Sequence, residues 1–223
     1  MVEGLLSRLR HHLTYMSDLA ERQVDTAIMA LVDGNRDMAQ EVLAAEEEMD
    51  ALDLQVSSIA QEILAKIHPE GENFRFTIAG MRAATCLERV GNIASDTAFQ
   101  AMRIGKGAAV NEINSLETVV EVCESMVRDA VRALVNGDAE SAWNTIQRAD
   151  AVDKEALRLI EACERKIPDD GHKVLYLIMA VLDLKRISEH AVTIAEEVIY
   201  MVEGRLVKHA SRHLLKNRPA PEA

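Results

Sequence analysis

The sequence predicts an all-α fold, built as a tandem duplication of two antiparallel three-helix bundles. Three observations lead there. Nearly half of the 223 residues are hydrophobic but only 3% are aromatic, so Ala, Leu, Val, Ile and Met must fill the interior, which suits close-packed helices. Only four Pro and ten Gly leave long stretches without a helix breaker. Finally, the chain repeats itself. VDTAIMALVDGN (24–35) aligns with VRDAVRALVNGD (127–138), and the register runs on without a gap through Ala39/Ala142, Asp50/Asp153 and Leu54/Leu157. LERVGNIASD (87–96) and LKRISEHAVT (184–193) close the two copies.

Each copy reads as three helices. The first runs from about 3 to 33, where Gly34 of DGN supplies a left-handed cap. Its stripe Val24, Ala27, Ile28, Leu31 marks one apolar face. The second runs from about 35 to 67 and stops at Pro69, and the third from about 73 to 104, ending at IGKG. In the second copy the spans are about 110–136, with the matching stripe Val127, Ala130, Val131, Leu134, then 138–166, stopped by Pro168, and 171–204. Long helices joined by short turns pack antiparallel. The expected organisation is therefore a bundle over 1–105, a linker near 104–112, a bundle over 110–207, and a basic tail at 208–223.

Charge and cysteine use narrow the functional classes. A formal net charge of −12 excludes a nucleic-acid partner, because a phosphate backbone needs a basic face. Arg205, Lys208, Arg212, Lys216 and Arg218 make the end of the chain basic, as a frayed, solvated terminus often is. Three widely spaced cysteines without a C-x-x-C fit a reducing compartment, where they serve as small core residues. The opening stretch has no uninterrupted apolar core of the kind a signal peptide needs. The longest apolar run, VLYLIMAVLDL (174–184), is shorter than the ~20 residues that span a bilayer. These features predict a cytoplasmic protein.

Acid placement gives the candidate site. Glu46 and Asp50 share one helix face, roughly twenty residues before the Pro69–Gly71 hairpin. Glu88 and Asn92 share another, as far after it. At ~1.5 Å rise per residue, antiparallel arms bring all four level. By the same reasoning Ala149 and Asp153 face Lys185 and Glu189. Clustered carboxylates repel unless a cation or proton compensates, and oxygen ligands at this spacing suit Mg, Mn, Fe or, with fewer ligands, Zn. The alternative is that these residues point to water and pair with neighbouring Arg and Lys. In the second copy Lys185 supplies a positive charge of its own, so a metal belongs to the first bundle if to either.

At these residues the sequence resembles the PhoU family of bacterial phosphate-uptake regulators. The likeness rests on CLERVGNIASDTA (86–98), LKRISEHAVTIAEEVIYMVEG (184–204), the opening at 16–56 and the PEGENFR hinge (69–75), and it covers residues 5–207. It implies tandem three-helix bundles with an acid-x-x-x-Asp motif on the second and third helices of each. Glu46–Asp50 keeps that motif; Glu88 is kept with Asn92 as its partner. Asp153 lacks its first acid, and Glu189 stands beside Lys185. The resemblance implies a non-catalytic negative regulator of phosphate transport and starvation signalling, a homodimer. It would dock to a phosphate ABC transporter ATPase and a membrane sensor histidine kinase, reaching the membrane only through partners, with a Fe, Zn, Mn or Mg ion possible at the acids.

Two rivals compete with this reading. A carboxylate-bridged di-iron enzyme needs inward-facing Glu-x-x-His pairs. Among the seven His, only His172 has an acid three residues earlier (Asp169), in an expected turn, and His190 follows Glu189 directly. No Gly-rich phosphate loop or nucleophile elbow occurs. The other rival is a helical interaction scaffold unrelated to phosphate, which the same long helices would serve. Trp143 and the methionines read as core or seam packing.

Overall fold

Left-handed backbone conformations mark the helix ends. Gly34 (φ 61°) and Gly137 (φ 71°) stop the first helix of each copy. Each is followed by a residue that caps the next helix. The Asn35 side-chain oxygen accepts from the N–H groups of Asp37 and Met38 at 3.0 and 3.4 Å, and Asp138 accepts from Ser141 N at 3.0 Å. Caps of this kind stabilise a helix by ~1 kcal/mol. At the hairpin it is His68 (φ 49°) that turns left-handed, ahead of Pro69 and Gly71 (φ 56°).

The computed structural model describes residues 2–105, 116–165 and 167–207. Among these are seven helices and no strand: α1 (Val2–Asp33), α2 (Arg36–Ala44), α3 (Glu46–Ile67), α4 (Gly71–Ile104), α5 (Leu116–Asn136), α6 (Ala139–Glu164) and α7 (Ile167–Glu203). The all-α duplicated architecture is as expected, with two corrections. The helix expected over 35–67 is interrupted at Ala45, whose N–H is shared between the carbonyls of Glu41 and Val42 at 3.2 and 3.1 Å. That tightening of one turn divides α2 from α3. The last helix starts at Ile167 rather than near 171 and takes Pro168 into its first turn, where a missing N–H costs no hydrogen bond. The expected start near 110, most of the linker and the tail at 208–223 lie outside the described residues.

In the first half α1, α3 and α4 pack together, with α2 lying on α1 and α4; α5, α6 and α7 form the second half. The halves join through α4 against α7 and α1 against α5. Buried apolar residues of both halves make one continuous cluster, with Leu13, Phe76 and Leu87 on one side and Met126, Leu134 and Leu184 on the other.

Polar contacts fasten the same junction. Arg82 pairs with Glu197 at 3.0 Å, and Arg75 Nε donates to Met201 O at 2.6 Å. Arg128 pairs with Glu21 at 2.9 Å. Arg10 donates to Val135 O at 3.4 Å while its guanidinium lies 4.3 Å from the Phe76 ring centroid. Early residues of α4 meet late residues of α7, and early residues of α1 meet late residues of α5, so both cross-bundle pairs run antiparallel.

The three cysteines are buried and form no disulfide. Burial pushes the Cys86 thiol up to about 11 and that of Cys123 up to about 12, which suits packing rather than nucleophilic chemistry. Trp143 is buried, and its indole N–H reaches Glu203 Oε1 at 3.4 Å. No helix among the described residues is long and apolar enough to cross a membrane.

Candidate functional site

The two helix seams, α3 with α4 and α6 with α7, carry every candidate residue. Register in the first seam is marked by Gly91 of α4, where an added Cβ would lie 3.1 Å from Met49 Cγ and 3.7 Å from Met49 Cβ of α3. Burial raises the Asp53 carboxyl above its usual range, the Thr85 hydrogen bond pulls it back, and Asp50 raises it again. With Met49 beside Gly91, antiparallel helices bring Glu46 and Asp50 of α3 level with Glu88 and Asn92 of α4. The sequence-derived alignment of these four positions therefore holds at the level of the backbone.

Their side chains do not gather. Among the described residues no group of three or more His, Cys, Asp or Glu is placed to hold a metal ion. The expected convergence of Glu46, Asp50 and Glu88 is absent for local reasons. Asn92 does not offer its carbonyl to an ion with Glu88; its amide Nδ2 donates to Glu88 Oε1 at 2.6 Å. Asp50 is exposed. Glu46 begins α3 together with Glu47 and Glu48, where negative charge complements the positive end of the helix dipole. Glu48 is further engaged by the Tyr15 hydroxyl at 2.5 Å, which raises the tyrosine through that hydrogen bond and the neighbouring charge. Part of the acid run thus serves the helix that begins after Ala45.

The second seam is built around a cation of the chain itself. Lys185 Nζ lies 3.3 Å from Asp153 Oδ1 and also donates to Glu189 one turn on. The Glu189 hydrogen bond is the main influence holding the ammonium above its ordinary value, with burial opposing and the two carboxylate charges adding. Ala149 stands where the first seam has Glu46. Asp153 and Glu189 are thus brought together as expected, around an ammonium. The donor set does not fit a metal ion, which would meet a positive charge at the centre.

Four polar groups outside the seams were not legible as site candidates. Gln23, on α1, is 2% exposed, and neither amide atom has a hydrogen-bond partner. It points at the α3–α4 pair: a Cβ on Gly91 would sit 3.0 Å from its Oε1 and 3.1 Å from Met49 Cγ. Asp183, 5% exposed, lies between the bundles and accepts from Gln100 Nε2 at 2.8 Å and Arg186 Nη1 at 3.0 Å. Burial raises its carboxyl against the pull of both donors. Glu21 and Glu124 meet at the α1–α5 junction, each with one buried carboxylate oxygen lacking a partner. Burial, reinforced by Asp25 and Glu21, pushes Glu124 up to about 7, with Arg128 opposing. A lone acid inside the apolar run at 174–184 was the available signal for Asp183. The α1–α5 pair had none, because it depends on how the halves dock.

Fold and seams together define a duplicated helical-bundle protein that presents two unlike polar helix seams on either side of a shared core. The family described as PhoU domain matches residues 13–101 and 116–198, and the chain belongs to that family. It is 31% identical over 208 residues to the phosphate-specific transport system accessory protein PhoU homolog of Pseudomonas putida, covering 92% of this chain and 81% of that one. It is likewise 31% identical to the Pseudomonas aeruginosa homolog of the same description, covering 92% and 86%. The crystal structure of PhoU from Pseudomonas aeruginosa superposes with a TM-score of 0.86 at 29% identity, over 92% of this chain and all of that one. The phosphate transport system regulatory protein PhoU from Streptococcus pneumoniae shares the fold, with a TM-score of 0.82 at 19% identity.

Proposed function

We propose that the chain is an accessory regulator of bacterial phosphate transport, acting in the cytoplasm by binding rather than by catalysis. The observation that carries this reading is the near full-length likeness to two accessory proteins of phosphate-specific transport. In the finer version, helix faces beside the seams dock to the transporter ATPase, to a membrane sensor kinase, or to both, and damp uptake and signalling when phosphate is plentiful. The joined double bundle supports this role. One core and charged contacts across the junction let a load on one half be felt by the other.

Deletion of the gene tests the regulatory reading. Raised phosphate uptake and raised starvation-reporter expression in phosphate-rich medium are expected; unchanged levels of both would overturn it. Affinity purification from the same cells separates the partners. Recovery of the transporter ATPase or sensor kinase supports docking, and recovery of an unrelated complex favours the general scaffold. The proposed homodimer is read by light scattering of the purified chain.

Cation binding enters this proposal at the first seam alone, where an ion would have to draw Glu46 and Asp50 toward Glu88. Metal analysis of the wild type, Glu46→Ala and Glu88→Ala reads it directly. Stoichiometric metal that both changes remove supports the site, and metal indifferent to both eliminates it.

A further inference from the structure

The duplication poses a question that the regulatory reading does not answer: what neutralises the second seam? Its acids are fewer than those of the first, since Ala149 replaces Glu46, yet Asp153 on α6 and Glu189 on α7 still approach one another. Both contact one atom, Lys185 Nζ, with Asp153 Oδ1 at 3.3 Å and Glu189 Oε1 in direct hydrogen bond. The ammonium occupies the midpoint of the seam, where oxygens of both helices point. Its side chain is 35% exposed and that of Asp153 31% exposed, so this pair is set into the seam, with Glu189, 56% exposed, closing it from the solvent side. In the first copy the same helix position holds Glu88, an acid, which takes its hydrogen bond from the neutral Asn92 amide.

We propose that Lys185 is the second seam's built-in counter-cation, holding between Asp153 and Glu189 the place a divalent ion would otherwise take. The second bundle is therefore closed without metal, and reversing one charge opens a cation site in it. The chemistry is simple. An ammonium gives three donors and one charge, enough to hold both carboxylates and to offset one of their two charges. A divalent ion placed beside it would face repulsion at contact distance. With glutamate at 185, three carboxylates would surround the same point, the oxygen-rich set that Mn²⁺ or Mg²⁺ accepts. This inference is independent of whether the first seam binds anything.

Mn²⁺ uptake by the full-length chain, stripped with chelator and measured by equilibrium dialysis, tests it. Asp153→Asn is expected to leave the uptake of the wild type unchanged. Lys185→Glu is expected to gain one equivalent of Mn²⁺, and that equivalent is lost again when Asp153→Asn is added. A bound equivalent in the wild type that disappears in Asp153→Asn would overturn the proposal. So would a Lys185→Glu chain that is helical by circular dichroism and takes up no additional ion. If Lys185→Glu does not fold, the Asp153→Asn comparison decides alone.

Discussion

Glu88 and Lys185 stand at equivalent places on the third helices of the two halves, and around them the halves have diverged together. In the first half the interior behind the seam is polar. Gln23 reaches Gly91 and Met49, Ser95 Oγ is buried without a partner, and Asp53 is half-buried. In the second half the corresponding residues are Met126, Ser188, Val152, Val192 and Ala156, apolar but for a serine whose hydroxyl returns to the Lys185 carbonyl at 2.7 Å. Behind its seam one half thus keeps polar groups, whereas the other has mostly apolar side chains there and offsets part of its seam charge with Lys185. The difference teaches that duplication preserved the scaffold and released the chemistry. Leucine and alanine positions of the core stayed apolar, while one seam position, Glu88/Lys185, changed sign and Asp50/Asp153 was kept.

The strongest way to break this comparison is to ask whether the halves unfold apart. Leu87 and Leu184 are equivalent and fully buried, and each Leu→Ala change is expected to cost about 3 kcal/mol, by lost burial and the cavity left behind. Because both lie in one continuous core, each variant should shift a single urea transition, followed by circular dichroism. Two separated transitions, with each variant moving only one, would make the halves independent domains.

A smaller effect sharpens the contrast between the interiors. Gln23→Met, which copies Met126 into the first half, removes two unpartnered buried polar groups and should raise stability by about 1 kcal/mol. The reverse change, Met126→Gln, should lower it by about 2 kcal/mol. Denaturant midpoints read both, and a loss on Gln23→Met would mean that the amide has a stabilising role.

A pH-dependent effect concerns the boundary between the halves. The folded-state carboxyl of Glu124 is raised to about 7 from an ordinary 4.5, so the folded chain holds its proton to higher pH than the unfolded one. Stability contributed by this group is therefore complete below about 4.5 and declines as pH rises toward 7. The groups facing it are Asp25 and Glu21 from α1, and Glu121 and Arg128 on its own helix. Glu124→Gln should flatten that part of the pH–melting-temperature profile; a profile identical to the wild type would place the carboxyl in solvent.

What the sequence made legible follows from which forces are local. Apolar stripes, Gly34 and Pro69 set helices and hairpins, so fold class and seam register were readable, and Lys185 between Asp153 and Glu189 was readable from spacing alone. The interruption at Ala45 was not, because AAEEEM is good helix sequence on both sides of it and the tightening is a backbone event. The orientation of the first seam's oxygens was not readable either. Register brings carboxylates level, but rotamers, the helix dipole and the Asn92 amide decide where their oxygens point. Gln23, Glu124 and Asp183 depend on packing between helices far apart in the chain, and only the apolar setting of Asp183 hinted at burial.

The antiparallel pairing of α4 with α7 and of α1 with α5 has one more consequence. Two identical copies joined this way would offer any visitor a pair of interchangeable faces, and it could land either way round with the same result. Three acids on one flank and a lysine bridging two acids on the other remove that ambiguity. The molecule acquires a front and a back.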